Sequence, residues 1–120
     1  MEKVYCAMPF RLKSKKKEII NFVKEHGYEP LHPFDILPPS EFNYDNYPRK
    51  NIMEMCFGLI DRCNQLWIFG LASGSIEEWL YARNTDKQTR SFVTKFDDEW
   101  KNFSDRYIKK YGNVIKEILI

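Results

Sequence analysis

The stretch LWIFG, LASGS, IEEW over residues 66–79 limits the fold more than any other part of the chain. A short apolar run closed by Gly70 reads as a buried strand, the small residues 71–75 as a loop, and Ile76 to about Asn84 as a helix. Such a loop exposes unpaired backbone N–H groups at the positive end of a helix dipole, which suits a phosphate or a carboxylate. It has no Walker lysine and no GxGxxG spacing, so neither a P-loop ATPase nor a dinucleotide fold is supported.

The rest of the chain alternates in the same way. Residues 4–8 (VYCAM) are an apolar run stopped by Pro9, which fits a first strand, since proline would remove a ladder donor. From Ser14, Ile19, Ile20, Phe22 and Val23 recur on one helical face, closed by His26 and Gly27. Residues 28–32 read as a second strand, and Pro30 within it suggests an edge position. Ile52, Met55, Cys56, Leu59, Ile60 and Cys63 follow the 3.6-residue period of a second helix. Residues 65–69 form the third strand, 91–96 a fourth, and 97–110 a helix with Trp100, Phe103, Tyr107 and Ile108 on one side. The tail 114–120 fits helix and strand equally. This order predicts an α/β fold with a small doubly wound parallel sheet and helices on both faces. Ligands are then expected outside the carboxyl ends of the strands, where the loop after the first strand meets residues 71–75. Between Pro33 and Pro48, with Pro38 and Pro39 inside, no period is visible, and a loop this long reads as a lid or a partner contact. Phe42, Tyr44 and Tyr47 in it suit either stacking on a base or packing over the domain.

A chain of 120 residues with 43% hydrophobic content fills one modest core, so residues 1–120 are expected to form a single domain. Lys and Arg total 19 against 17 for Asp and Glu, and a net charge of +2 gives no field that points to a nucleic acid polymer. The run from Lys13 to Lys17 reads as the solvated start of a helix. Cys6, Cys56 and Cys63 are odd in number, have no CxxC spacing and have two histidines to join them, which argues against a metal site and for free thiols. Reduced thiols, an N-terminus that turns polar at Arg11 and the absence of an apolar run near the roughly 18 residues of a membrane span predict a cytoplasmic protein that engages no membrane.

Ser75 and Glu78 stand at the spacing of a capping box, with Ser75 capping the helix and Glu78 reaching back to its N–H. That explains the carboxylate without a ligand. The same residue, on a first turn facing the loop after the first strand, also suits a nucleophile or a stabiliser of a cation-like transition state. His32 at a strand end suits acid–base work, and more simply a structural role beside Pro33. Trp79 and Trp100 read as core or interface.

Val4 to Phe10 (VYCAMPF), Gly27-Tyr28 to His32-Pro33-Phe34, and Gly74-Ser75-x-x-Glu78 with Tyr81-Ala82 together resemble the nucleoside 2-deoxyribosyltransferase family, including its nucleotide N-hydrolase relatives. The resemblance runs in order over residues 4–82. It implies a flavodoxin-like sheet, an oligomer, and cleavage of an N-glycosidic bond in a nucleoside or nucleotide, with no cofactor. It also implies Glu78 as nucleophile and Tyr5 as its hydrogen-bonding partner. Ala7, Met8, Pro9, Phe10 and Asp35 would bound the substrate, and Ser73, Gly74 and Ser75 would face a sugar hydroxyl or a 5′-phosphate. The chain departs from the family pattern at Met8 for glycine, at Cys56 or a neighbour for a helix-two aspartate, at Asn64 for aspartate, and at Ala72 for a polar residue. A replacement acid could come from Asp35, Asp45, Glu54 or Asp61, although Asp61 reads first as a solvated helix charge. Two rival functions stay open. One is a catalytically silent nucleotide-binding or sensing module of the same fold. The other is an interaction protein that uses Ile115, Ile118, Leu119 and Ile120 as an oligomer contact.

Overall fold

A computed structural model describes residues 1–36 and 48–120. The elements follow the order β1 (Lys3–Ala7), a 3-10 helix (Phe10–Lys15), α1 (Lys16–Glu25), β2 (Glu29–Leu31), α2 (Pro33–Ile36), α3 (Arg49–Asp61), β3 (Gln65–Ile68), α4 (Ser73–Asn84), β4 (Gln88–Ser91), α5 (Val93–Phe96) and α6 (Trp100–Ile118). The four strands pair in the order β2-β1-β3-β4, all parallel, with Tyr5 opposite Leu66 and Ala7 opposite Ile68. This is the flavodoxin-like order shortened by one strand.

Side-chain alternation along β1 and β3 divides the core into two layers. Tyr5, Ala7, Leu66 and Ile68 face α3, α4 and α6, where they meet Leu59, Ile60, Ile76, Trp79, Ile115 and Ile118. Val4, Cys6, Met8, Trp67 and Phe69 face the other way, onto Leu12, Ile19 and Val23 of the 3-10 helix and α1, and onto Phe96 of α5. Covering both faces with helices is what requires β3 to be buried at every position. Gly27 ends α1 at φ +87, a conformation that favours glycine, and its N–H returns to the Lys24 carbonyl at 2.9 Å. Pro30 stands in β2, an edge strand, where its missing N–H breaks no interior ladder.

The first three strands shift by a residue at their ends, and four boundaries differ by more from those read in the sequence. The fourth strand is Gln88–Ser91, not residues 91–96, because an edge strand tolerates the polar run QTRS. Phe92 adds one ladder bond to the Ile68 carbonyl at 2.9 Å; the chain then turns helical so that Val93 and Phe96 both bury. The last helix starts at Trp100 and continues to Ile118, bending at Tyr111 just before Gly112, and so absorbs the tail. Its Ile115 and Ile118 are buried in the protein's own core, which removes them from any surface contact. The segment after Pro33 opens with the single turn α2, and α4 begins at Ser73 rather than Ile76. Pro38, Pro39, Phe42, Tyr44, Asp45 and Tyr47 lie outside the described residues. No helix among the described residues is long and apolar enough to cross a membrane.

Candidate functional site

The strand order reverses between β1 and β3, so the chain leaves their carboxyl ends in opposite directions, which is where ligands bind in open sheets of this kind. The two loops at that edge touch. A Cβ on Gly70 would lie 2.5 Å from Leu12 Cδ1 and 2.6 Å from Pro9 Cδ, so glycine is what lets the loop after β3 lie against the loop after β1.

A buried charge pair fixes the contact. Asp97, whose side chain is fully buried, accepts the Leu71 N–H at 2.9 Å, Arg11 Nη2 at 2.6 Å and the Glu99 N–H at 3.1 Å. The same Arg11 nitrogen donates to the Leu71 carbonyl at 3.0 Å, and the guanidinium lies 3.7 Å from the centre of the Phe103 ring. One ion pair thus joins the loop after β1, the loop after β3 and the turn into α6. Neither residue stood out in the sequence, where they are 86 positions apart and each resembles an ordinary surface charge.

The start of α4 corrects the expected capping box. Its N-cap is Ala72, and Ser75 makes the reach-back bond, accepting the Ala72 N–H at 2.9 Å. The Ser75 hydroxyl also donates to the Gly70 carbonyl at 2.7 Å, so it is engaged in holding the loop. Glu78 lies a turn further on and takes no part in capping. Ser73 and Gly74 are half-buried at the mouth of the helix, where Arg49 of α3 donates to Ser73 Oγ at 3.0 Å and to Glu77 Oε2 at 3.1 Å.

Glu78 points inward. It is buried, and the hydroxyl of buried Tyr5 in β1 donates to its Oε2. Burial pushes the Glu78 carboxyl up to about 7, although the Tyr5 hydrogen bond and the nearby Cys56 thiol of α3 pull the other way. Burial and the Glu78 charge hold Tyr5 well above its ordinary value, so it stays a neutral donor, and burial raises Cys56 to about 12. Two weak acids, from β1 and α3, therefore stand beside one carboxylate on α4. Such a carboxylate, desolvated and held by a neutral donor, can act as a nucleophile or stabilise a nearby cation.

The remaining expected residues divide by face. Ala7 follows Tyr5 on the Glu78 side of the sheet, whereas Met8 faces the opposite layer. Met8 Sδ lies 2.8 Å from His32 Nε2, while His32 Nδ1 accepts the Phe34 N–H at 3.1 Å; burial lowers this imidazole to about 4 and keeps it neutral. Pro9 is buried against Gly70, and Phe10 is exposed with its ring edge-on to Phe34 at 5.4 Å. Asp35 lies at the surface in an ion pair with Lys16, and Asp61 accepts the Tyr81 hydroxyl at 2.7 Å. Behind α4, Met53, Phe57, Leu80 and Tyr81 line a groove of about 590 Å³ whose Phe57 and Tyr81 rings stack at 4.3 Å. Among the described residues no group of three or more His, Cys, Asp and Glu side chains is placed to hold a metal ion.

Comparison with protein-family models, with curated sequences and with solved structures returns no match.

Proposed function

We propose that this chain cleaves the N-glycosidic bond of a nucleoside or nucleotide with Glu78 as nucleophile, in the manner of the nucleoside 2-deoxyribosyltransferases and their N-hydrolase relatives. The observation that carries the proposal is the buried pairing of the Tyr5 hydroxyl with the Glu78 carboxyl beside the sheet's switch point. A bond to an anomeric carbon breaks with positive charge building on the sugar, and an adjacent carboxylate can trap that charge as a glycosyl ester. Water or a second base then resolves the ester. Tyr5 donates to one carboxylate oxygen, which orients the other toward the ring. The half-buried Ser73 and Gly74 at the start of α4 suit a sugar hydroxyl or a 5′-phosphate.

A second reading, a nucleotide-binding module without turnover, is favoured by one observation. Cys56, beside Glu78, is held at about 12 and is a poor proton donor to a departing base. Incubation with a panel of nucleosides and 5′-monophosphates separates the two. Release of free base that disappears in Glu78→Gln supports the glycosidase, release that survives the substitution sinks the assigned nucleophile, and ligand-dependent thermal stabilisation without release supports the binding module.

A further inference from the structure

We infer that the groove between α3 and α4 is closed by a second copy of this chain, the two helix pairs packing face to face about a two-fold axis that passes α3 between Lys50 and Glu54. The inference stands apart from the proposed reaction and uses none of the residues given a part in it.

Each of the two helices carries an inner and an outer apolar stripe. The inner stripes belong to the core, through Leu59 and Ile60 of α3 and Ile76, Trp79 and Ala82 of α4. The outer stripes line the groove of about 590 Å³, with Met53 and Phe57 on α3 and Leu80 and Tyr81 on α4. All four side chains stay half-buried, and the Phe57 and Tyr81 rings stack at 4.3 Å across the groove. Positions 50, 53, 54 and 57 on one helix and 77, 80, 81 and 84 on the other repeat the spacing i, i+3, i+4, i+7 by which a helix meets another helix. Two adjacent helices with such stripes fit a second pair of the same kind, and a copy of the chain brings one.

The rim charges favour the same occupant. Arg49 is taken up by Glu77 at 3.1 Å, whereas exposed Lys50 and exposed Glu54 form no ion pair among the described residues. These two stand one turn apart on the groove side of α3 and are opposite in sign. In an isologous contact residue i meets j and j meets i, so an axis between them sets each Lys50 against Glu54 of the second copy. A partner of one charge would leave either Lys50 or Glu54 facing its like, while a second copy matches both. Gly58 continues the row from Lys50 through Glu54 by one further turn. A Cβ there would meet nothing within 4 Å, so no contact inside the chain requires glycine in the middle of α3, where it lowers helix stability. A helix packed closely over this row would.

Sedimentation of the full chain over about 1–200 µM tests the contact. The parent chain should pass from monomer to dimer within this range or be dimeric throughout it. Lys50→Glu and Glu54→Lys each set like charges against one another on both sides of the axis, and each should weaken the dimer by about tenfold or more. Both positions are exposed, so each variant should keep the circular dichroism and melting midpoint of the parent monomer. Mixed in equal amounts, the two variants should recover a dimer of the parent's strength, because the mixed pair has opposite charges at both contacts. A parent chain that is monomeric at every concentration leaves the groove to another occupant and overturns the inference. A dimer that neither variant weakens, or a mixture that fails to recover it, overturns the inference as well. Base release from nucleosides bears on the glycosidase alone, so either reading can fail while the other stands.

Discussion

Glu78 and His32 are buried titratable groups that move in opposite directions. The Glu78 carboxyl is raised from 4.5 to about 7, so the folded chain holds a proton there that the unfolded chain releases. Its contribution to stability is complete below pH 4.5 and is lost as pH rises through 7. His32 is lowered from 6.5 to about 4, so its contribution is complete above 6.5 and is lost as pH falls through 4. Between these limits the two slopes offset one another, each amounting to about 3 kcal/mol over its window. Glu78→Gln should therefore expose the histidine term: denaturant melts of that variant should weaken steadily from pH 6.5 to 4.5, while the parent chain changes little. Parallel curves for the two proteins would contradict the burial assigned to Glu78. The pairing of Tyr5 with Glu78 was implied by the family resemblance and not by local pattern, since a strand residue and a helix residue 73 positions apart carry no common signal along the chain. Ser75 was misread because S-x-x-E fits a capping box wherever helix α4 begins, and only its start at Ser73 shows which of the two residues reaches back.

At the level of elements, the site depends on how the loops after β1 and β3 are held together. Asp97→Ala would leave the half-buried Arg11 without its charge partner and the Leu71 N–H without an acceptor. A loss of about 3–5 kcal/mol follows, measurable as a lower denaturation midpoint. Arg11→Lys should recover part of what Arg11→Ala loses, since a lysine reaches Asp97 but cannot donate to the Leu71 carbonyl from the same planar group. Gly70→Ala places a methyl within 2.6 Å of Pro9 and Leu12, and should destabilise by about 1–3 kcal/mol through overpacking. A neutral result for Asp97→Ala would refute the clasp. None of this was visible along the chain, because Arg11 and Asp97 meet only after two strands have paired. The fourth strand was placed too late, at 91–96, for a related reason: hydrophobic runs mark strands that are covered on both faces, and β4 is an edge strand with Gln88 and Arg90 exposed.

Across the whole molecule, the parallel sheet with helices on both faces was legible because the alternation of apolar runs and helical periods is a property of β1, α1, β3 and α4 individually. The end of the chain was not, since residues 114–118 gain their helical state from packing Ile115 and Ile118 into the core. Ile118→Ala should accordingly cost about 2–5 kcal/mol of folding stability, and the loss should not depend on protein concentration. A concentration-dependent loss would point instead to a contact between chains. The central claim, that Glu78 attacks a sugar, is tested most directly by rapid quenching of a reaction with a base-releasing nucleoside, followed by mass spectrometry of the peptide that contains Glu78. The account predicts a pentose ester on the Glu78 carboxyl that is absent in Glu78→Gln; base release with no ester at Glu78, or an ester on another residue, would contradict it.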